Sequence, residues 1–143
     1  MSNLFTEDAL HKKSPQEITS LLYEACLTNL DSAIAEINDK NYVVANRHLQ
    51  KANDIIYRLG AGINYEAGIV ADQLDTLYNY MADKLIEANL TKNTEIIEDV
   101  RNNLQVIAQS WNEAMAKKPV SQPNGNRRKA MAYERSVMLE GQD

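Results

Sequence analysis

Apolar residues recur along this chain at spacings of three and four, the signature of helices that turn one face inward. From Pro15 to Ile37 the pattern is broader than a stripe. At about 100° per residue, Ile18, Leu21, Leu22, Tyr23, Ala25, Cys26, Leu27, Leu30, Ile34 and Ile37 cover roughly two thirds of the helix circumference. A single buried face needs a stripe only somewhat over ~100° wide. The excess must be covered by two packing faces, by another part of the chain or by a partner. Ser14-Pro15-Gln16-Glu17 opens the helix: serine caps it, proline suits its first position, and Glu17 can close a capping box. Asn38-Asp39-Lys40-Asn41 then makes a polar turn.

The second helix, from about Tyr42, puts Tyr42, Ala45, Leu49, Ala52, Ile56 and Leu59 on one face, and Gly60 and Gly62 end it. A loop from Gly60 to Gly68 leads to a third helix with Val70, Leu74, Leu77, Tyr78, Met81, Leu85 and Ala88 in line. Asn89 to Asn93 reads as a short polar break. The fourth helix, from about Thr94, aligns Ile96, Ile97, Val100, Leu104, Ile107, Trp111 and Met115 before Pro119 stops it. Four helices joined by short turns predict an all-α fold, an antiparallel up-and-down four-helix bundle. No stretch alternates as a strand would.

Residues 14–118 are thus expected to form the bundle, with a short leading segment at 1–13 and a linker and tail at 119–143. The linker, Pro119 to Asn126, is rich in Pro, Ser, Gln, Asn and Gly. Beyond it Ala130, Tyr133, Val137 and Met138 are spaced as one face of a short helix, too short to hold alone in water. The tail is expected to gain structure only by docking.

At 143 residues the chain suits one domain. Its apolar residues never run together over the ~18 positions a membrane span needs, and Met1 to Lys13 lacks the apolar core of a secretory signal. Cys26, the single cysteine, has no internal disulfide partner, which fits a reducing compartment. A cytoplasmic location is expected. Through residue 116 there are nine Lys/Arg against seventeen Asp/Glu, and beyond it six against three. An acidic body argues against nucleic acid, whose partners present basic grooves. The cluster Arg127-Arg128-Lys129 is too short to reverse that.

Chemistry finds little support. A di-metal bundle site needs paired Glu-x-x-His motifs, and neither His11 nor His48 completes one. Gly60-Ala61-Gly62 lacks the further glycine, the Lys-Ser/Thr pair and the preceding strand of a phosphate cradle. Cys26 has no base near it in sequence, and Glu95, Glu98 and Asp99 suit the positive end of a helix dipole. No enzyme activity, metal or cofactor is expected.

Subtracting the core stripes leaves Leu27, Val43, Tyr57, Tyr80, Ile86 and Val106 facing elsewhere. Scattered apolar residues are normal on any surface, but lined up along a groove they would suit an amphipathic helix from another chain. Three readings stay open on pattern alone: a groove for a partner helix, a regulatory or small-ligand-binding bundle with an internal pocket, and self-association of the bundle. Leu4 and Phe5 could fold back over such a groove and cover it.

The ordered phrases along the chain resemble one family. Ser14-Pro15, Glu17-Ile18 and Leu22-Tyr23-Glu24-Ala25 are similar to the opening helix of the flagellar export chaperones that bind flagellin, the FliS family. Asn46, Leu49, Lys51-Ala52, Asp54-Ile55-Ile56 and Leu59 resemble its second helix; Leu77-Tyr78, Tyr80-Met81, Leu85-Ile86 and Ala88-Asn89 its third; and Trp111 stands at its closing tryptophan. Where the family often has an Arg pair this chain has Asp83-Lys84, and Ala108 stands at a common Arg position. The tail after Lys118 matches no part of the family pattern. The resemblance implies a cytoplasmic bundle that binds the C-terminal segment of flagellin, prevents premature polymerisation and supports export. Export-gate or regulatory proteins are further expected partners. It implies Ile55, Leu59, Tyr78, Met81, Leu85 and Ile86 as residues that form or support the groove, with Leu4 and Phe5 as its competing cover.

Overall fold

Ser14 and Pro15 begin the first helix as their chemistry predicts: Ser14 Oγ accepts the backbone N–H of Glu17 at 3.1 Å, and Pro15 sits where no helical N–H is needed. The Glu17 carboxylate meets the Ser14 hydroxyl at 3.3 Å, so only half of the capping box forms. In this computed structural model, which describes residues 13–63 and 69–117, four helices run in order: α1 Pro15–Asn38, α2 Tyr42–Ala61, α3 Ile69–Thr91 and α4 Thr94–Lys117. Leu4, Phe5, His11 and the tail lie outside the described residues.

Cross-helix partners show the antiparallel course directly. Between α1 and α2, Cys26 meets Ala52 and Asn29 meets His48; between α2 and α3, Asn46 meets Asn89 and Asn53 meets Ala82. Between α1 and α4, Gln16 meets Trp111 and Asp31 meets Arg101. In each pair one number rises as the other falls. Each helix packs chiefly on two neighbours, α1 and α3 each on α2 and α4, so the four close into a ring.

Both tight turns use the same device. Lys40 (φ 63°) and Lys92 (φ 52°) adopt the left-handed conformation just past α1 and α3. After α1, the Lys40 N–H donates to Ile37 O at 2.9 Å and the Asn41 N–H to Glu36 O at 2.8 Å, the paired bonds of a Schellman turn. After α3, the Asn93 N–H donates to Ala88 O at 3.1 Å. The positions that glycine usually fills are therefore lysines, while Gly62, expected to end α2 in that role, has an ordinary φ of −90°. Asn93 Oδ1 caps α4 by accepting the Glu95 N–H at 2.9 Å. The expected break at Asn89 is placed too early, because helix continues through Thr91.

The core is filled by large side chains from all four helices, among them Leu30, Leu49, Ile56, Met81, Leu85, Ile97 and Leu104. One polar link crosses it. The hydroxyls of Tyr23 on α1 and Tyr78 on α3, on opposite sides of the ring, meet at 2.6 Å. The Trp111 ring stands edge-on to Tyr23, centroids 6.3 Å apart, and its indole N–H donates to Gln16 O at 3.2 Å.

Most of the broad apolar arc of α1 is consumed inside the ring. Leu22, Tyr23, Cys26, Leu30, Ala33 and Ile37 are buried, and Ile18, Leu27 and Ile34 pack against them from the edges. The two flanking helices cover most of that arc, and Leu21 stays partly exposed at its edge. Leu27, expected to face away from the core, is half-buried against it.

Candidate functional site

The apolar surface left uncovered lies on the other helices. Among the described residues the exposed large apolar side chains are Tyr42, Val43, Tyr57, Tyr80, Ile86, Leu90 and Val106. Their distribution is uneven. On α2, Tyr42, Asn46, Asn53 and Tyr57 recur at offsets that keep them on one edge, and that edge faces α3, because Asn46 bonds Asn89 at 2.5 Å and the Asn53 amide donates to Ala82 O at 3.3 Å. Ile86 and Leu90, one turn apart on α3, flank the same seam. Four of the seven exposed apolar residues thus border the α2–α3 seam, with Val43 beside Tyr42 on the outer face of α2.

The seam contains a furrow of about 190 Å³ lined by Leu49, Gln50, Asn53, Leu85, Ile86, Asn89 and Leu90. Leu49 and Leu85, each 1% exposed, form its floor, whereas Ile86 at 47% and Leu90 at 82% stand at its rim. Gln50, Asn53 and Asn89 add amides, and Lys92 Nζ donates to Asn89 Oδ1 at one end. The result is an apolar strip bordered by amides with one ammonium at its end, suited to the face of an amphipathic helix. The α1–α4 seam differs: Ser20 Oγ donates to Asn112 Oδ1 at 3.0 Å and Arg101 pairs with Asp31 across it, so its rim is polar.

The residues singled out from sequence fall in distinct places. Leu85 and Ile86 meet in the furrow as floor and rim. Tyr78, Met81 and Leu59 are buried in the core, the first two on the α3 face that carries Leu85. Ile55 is half-buried on the edge of α2 turned toward α1, the edge that carries His48. Val43, Tyr57, Tyr80, Ile86 and Val106 are exposed as the wheel predicts. Sequence reasoning missed Tyr42, placed in the core stripe, and Leu90, placed in the break. The i, i+4 spacing of Ile86 and Leu90 is the signal that could have joined them.

Burial pushes the Cys26 thiol up to about 12, so it stays protonated, and its sulfur lies 3.6 Å from Ala52 O, a weak donor contact. His48 Nδ1 is engaged with Asn29 Oδ1 at 2.9 Å. Among the described residues no three of His, Cys, Asp or Glu converge as a metal site would require, and no helix is long and apolar enough to cross a membrane.

A family model described as flagellar protein FliS matches residues 2–118. The flagellar secretion chaperone FliS of Salmonella typhimurium is 32% identical over 113 residues, covering 78% of this chain and 84% of that protein. The protein of the same name from Bacillus subtilis is 25% identical over 111 residues, covering 78% and 83%. The flagellar secretion chaperone FliSB of Pseudomonas aeruginosa is 28% identical over 99 residues, covering 68% and 79%.

Proposed function

The chain belongs to the flagellar protein FliS family, and from that premise we propose that it is a flagellar export chaperone that holds the C-terminal segment of flagellin along the α2–α3 furrow. The observation that carries the reading is the placement of Ile86 and Leu90 on the rim of the furrow, with Tyr42 and Tyr57 on the same seam, in a family whose relatives are named flagellar secretion chaperones. A bundle that needed only to fold would have no use for four large apolar side chains along one seam. A partner helix with residues at i, i+3, i+4 and i+7 would cover them.

The physics of the task matches such a surface. A flagellin segment destined to self-assemble carries apolar residues that would associate before export, and occupying them on the chaperone prevents that. If the segment orders as it binds, about 2–5 kcal/mol of interaction goes into ordering, which keeps a large interface reversible. Ile86 and Leu90 act as rim contacts, Leu49 and Leu85 shape the floor, and Tyr78 and Met81 support it from the core. Leu4 and Phe5 compete for the furrow when no cargo is present. The chaperone acts before export, in the cytoplasm, and neither metal nor cofactor takes part.

Titration of the full chain with a synthetic C-terminal flagellin segment, followed by far-UV circular dichroism and calorimetry, tests the proposal. Helix gained beyond the sum of the two components, lost on Ile86→Asp with Leu90→Asp, is the expected result. An additive spectrum with no heat of binding would overturn it, as would binding indifferent to both substitutions.

A further inference from the structure

One polar group in the α2–α3 furrow has its hydrogen bonding unfinished. The three amides of the furrow are Gln50, Asn53 and Asn89. Gln50 is exposed to water. Asn89 is satisfied on both limbs of its amide: the nitrogen donates to Asn46 Oδ1 at 2.5 Å, and the oxygen accepts from Lys92 Nζ. Asn53 is satisfied on one limb only. Its nitrogen donates to Ala82 O at 3.3 Å, and among the described residues its Oδ1 is the buried side-chain polar atom without a hydrogen-bond partner. The two limbs cannot be exchanged, because a carbonyl oxygen only accepts and Ala82 O must therefore face the nitrogen.

An acceptor left unpaired in an apolar wall is a cost to the fold. Leu49 and Leu85 form the floor beside it, and a third leucine at position 53 would line the seam without that cost. The side chain of Asn53 is part-buried as a whole and lines the furrow. The torsion that turns a carboxamide is broad, so a donor entering the furrow meets the oxygen after a small rotation. Its place along the seam is fixed by the helix repeat. Asn53 is level with Ala82, and Ile86 and Leu90 follow Ala82 at steps of four residues, about 6 Å each.

We propose, on the premise that the furrow seats the flagellin segment, that Asn53 sets the register of that segment by accepting a hydrogen bond from one of its serine, threonine, asparagine or glutamine side chains. Apolar residues of the segment one and two turns along then rest on Ile86 and Leu90. The donor is uncharged: a lysine or arginine would bring its ion against Leu49, Leu85 and Ile86, and the Lys92 ammonium already stands at the end of the furrow. Apolar contacts alone let a helix slip by a turn at little cost. A single buried acceptor does not, since only one alignment completes it and every other leaves it unpaired.

Calorimetry on the full chain tests this with the C-terminal flagellin segment and with copies of it in which each Ser, Thr, Asn and Gln in turn is replaced by Ala. Each copy is titrated into wild type and into Asn53→Leu. One copy should bind wild type about 5- to 150-fold more weakly than the parent segment, the range spanned by a buried polar group left unpaired, and against Asn53→Leu the difference should shrink to under about twofold. Asn53→Ala, which cannot overfill the site, gives the same comparison if leucine disturbs folding. If no copy loses affinity, or if every loss is the same on wild type and on the Asn53 variant, the assignment of Asn53 is overturned, while the chaperone reading stands on the separate loss of binding with Ile86→Asp and Leu90→Asp. A parent segment that does not bind wild type overturns both.

Discussion

Removing one hydroxyl from the tyrosine pair should cost more than removing both. Tyr23 and Tyr78 are each 3% exposed, and their oxygens lie 2.6 Å apart across the centre of the ring. Tyr78→Phe leaves the Tyr23 hydroxyl in the core without a partner, and the desolvation of one orphaned hydroxyl is about 1–3 kcal/mol. Tyr23→Phe does the same to Tyr78. With both replaced, no polar atom is stranded, the two rings keep their packing, and the net loss falls to the ~1 kcal/mol that a satisfied hydrogen bond is worth. The cycle should therefore show a coupling of about 1–5 kcal/mol. Urea denaturation followed by circular dichroism in the helical band reads each corner, and each kcal/mol corresponds to a shift of about 4 °C in melting temperature at this size. Single substitutions that each cost under about 0.5 kcal/mol, or a double substitution that costs their sum, would refute the reasoning. The same pair sets an alkaline limit. Burial raises both phenols, most strongly Tyr78, above the ordinary 10.0. Above that pH the unfolded chain releases protons that the folded one retains, so the stability is fully present below pH ~10 and declines as pH rises past it. The double Phe variant should decline less steeply.

Glycine at the two left-handed turn positions should stabilise the fold: Lys40→Gly and Lys92→Gly each relieve a strain of about 1 kcal/mol, partly offset by glycine's entropy, raising the urea midpoint without changing the slope. Leu85→Ala, at the furrow floor and 1% exposed, should cost about 2–5 kcal/mol of stability. Ile86→Ala at the rim should leave melting within about 0.5 kcal/mol and weaken binding of the flagellin segment several-fold, a contrast that calorimetry on the two variants checks. Arg101→Ala, which breaks the exposed pair with Asp31, should change stability by under about 1 kcal/mol, with the difference vanishing in molar salt.

The helices are legible in the sequence because their signals are local. Ser14-Pro15 starts α1, the stripe from Ala45 to Leu59 orients α2, and the stripe from Ile97 to Leu104 orients α4, each decided by residues within a few turns. What covers a stripe is not local. The wide arc of α1 reads as surplus along the chain, yet helix crossing brings α2 and α4 onto its two flanks, and Leu27 is absorbed with it. Leu90 is hidden because Asn89 and Asn93 look like a break, and a turn with lysine at its left-handed position carries no glycine to mark the true end at Thr91. The furrow depends on which edges of α2 and α3 meet, information held in the pairing of Asn46 with Asn89 and Asn53 with Ala82 and visible only once the ring closes.

Every side chain lining the furrow is either hydrocarbon or an uncharged amide. Such a seat has no carboxylate or imidazole in its walls, and the ion at its end is the Lys92 ammonium held on Asn89. A helix seated there would be held mainly by contacts that acidity and ionic strength touch little, so a rival surface or traction on the cargo would unload it more readily than a change of medium.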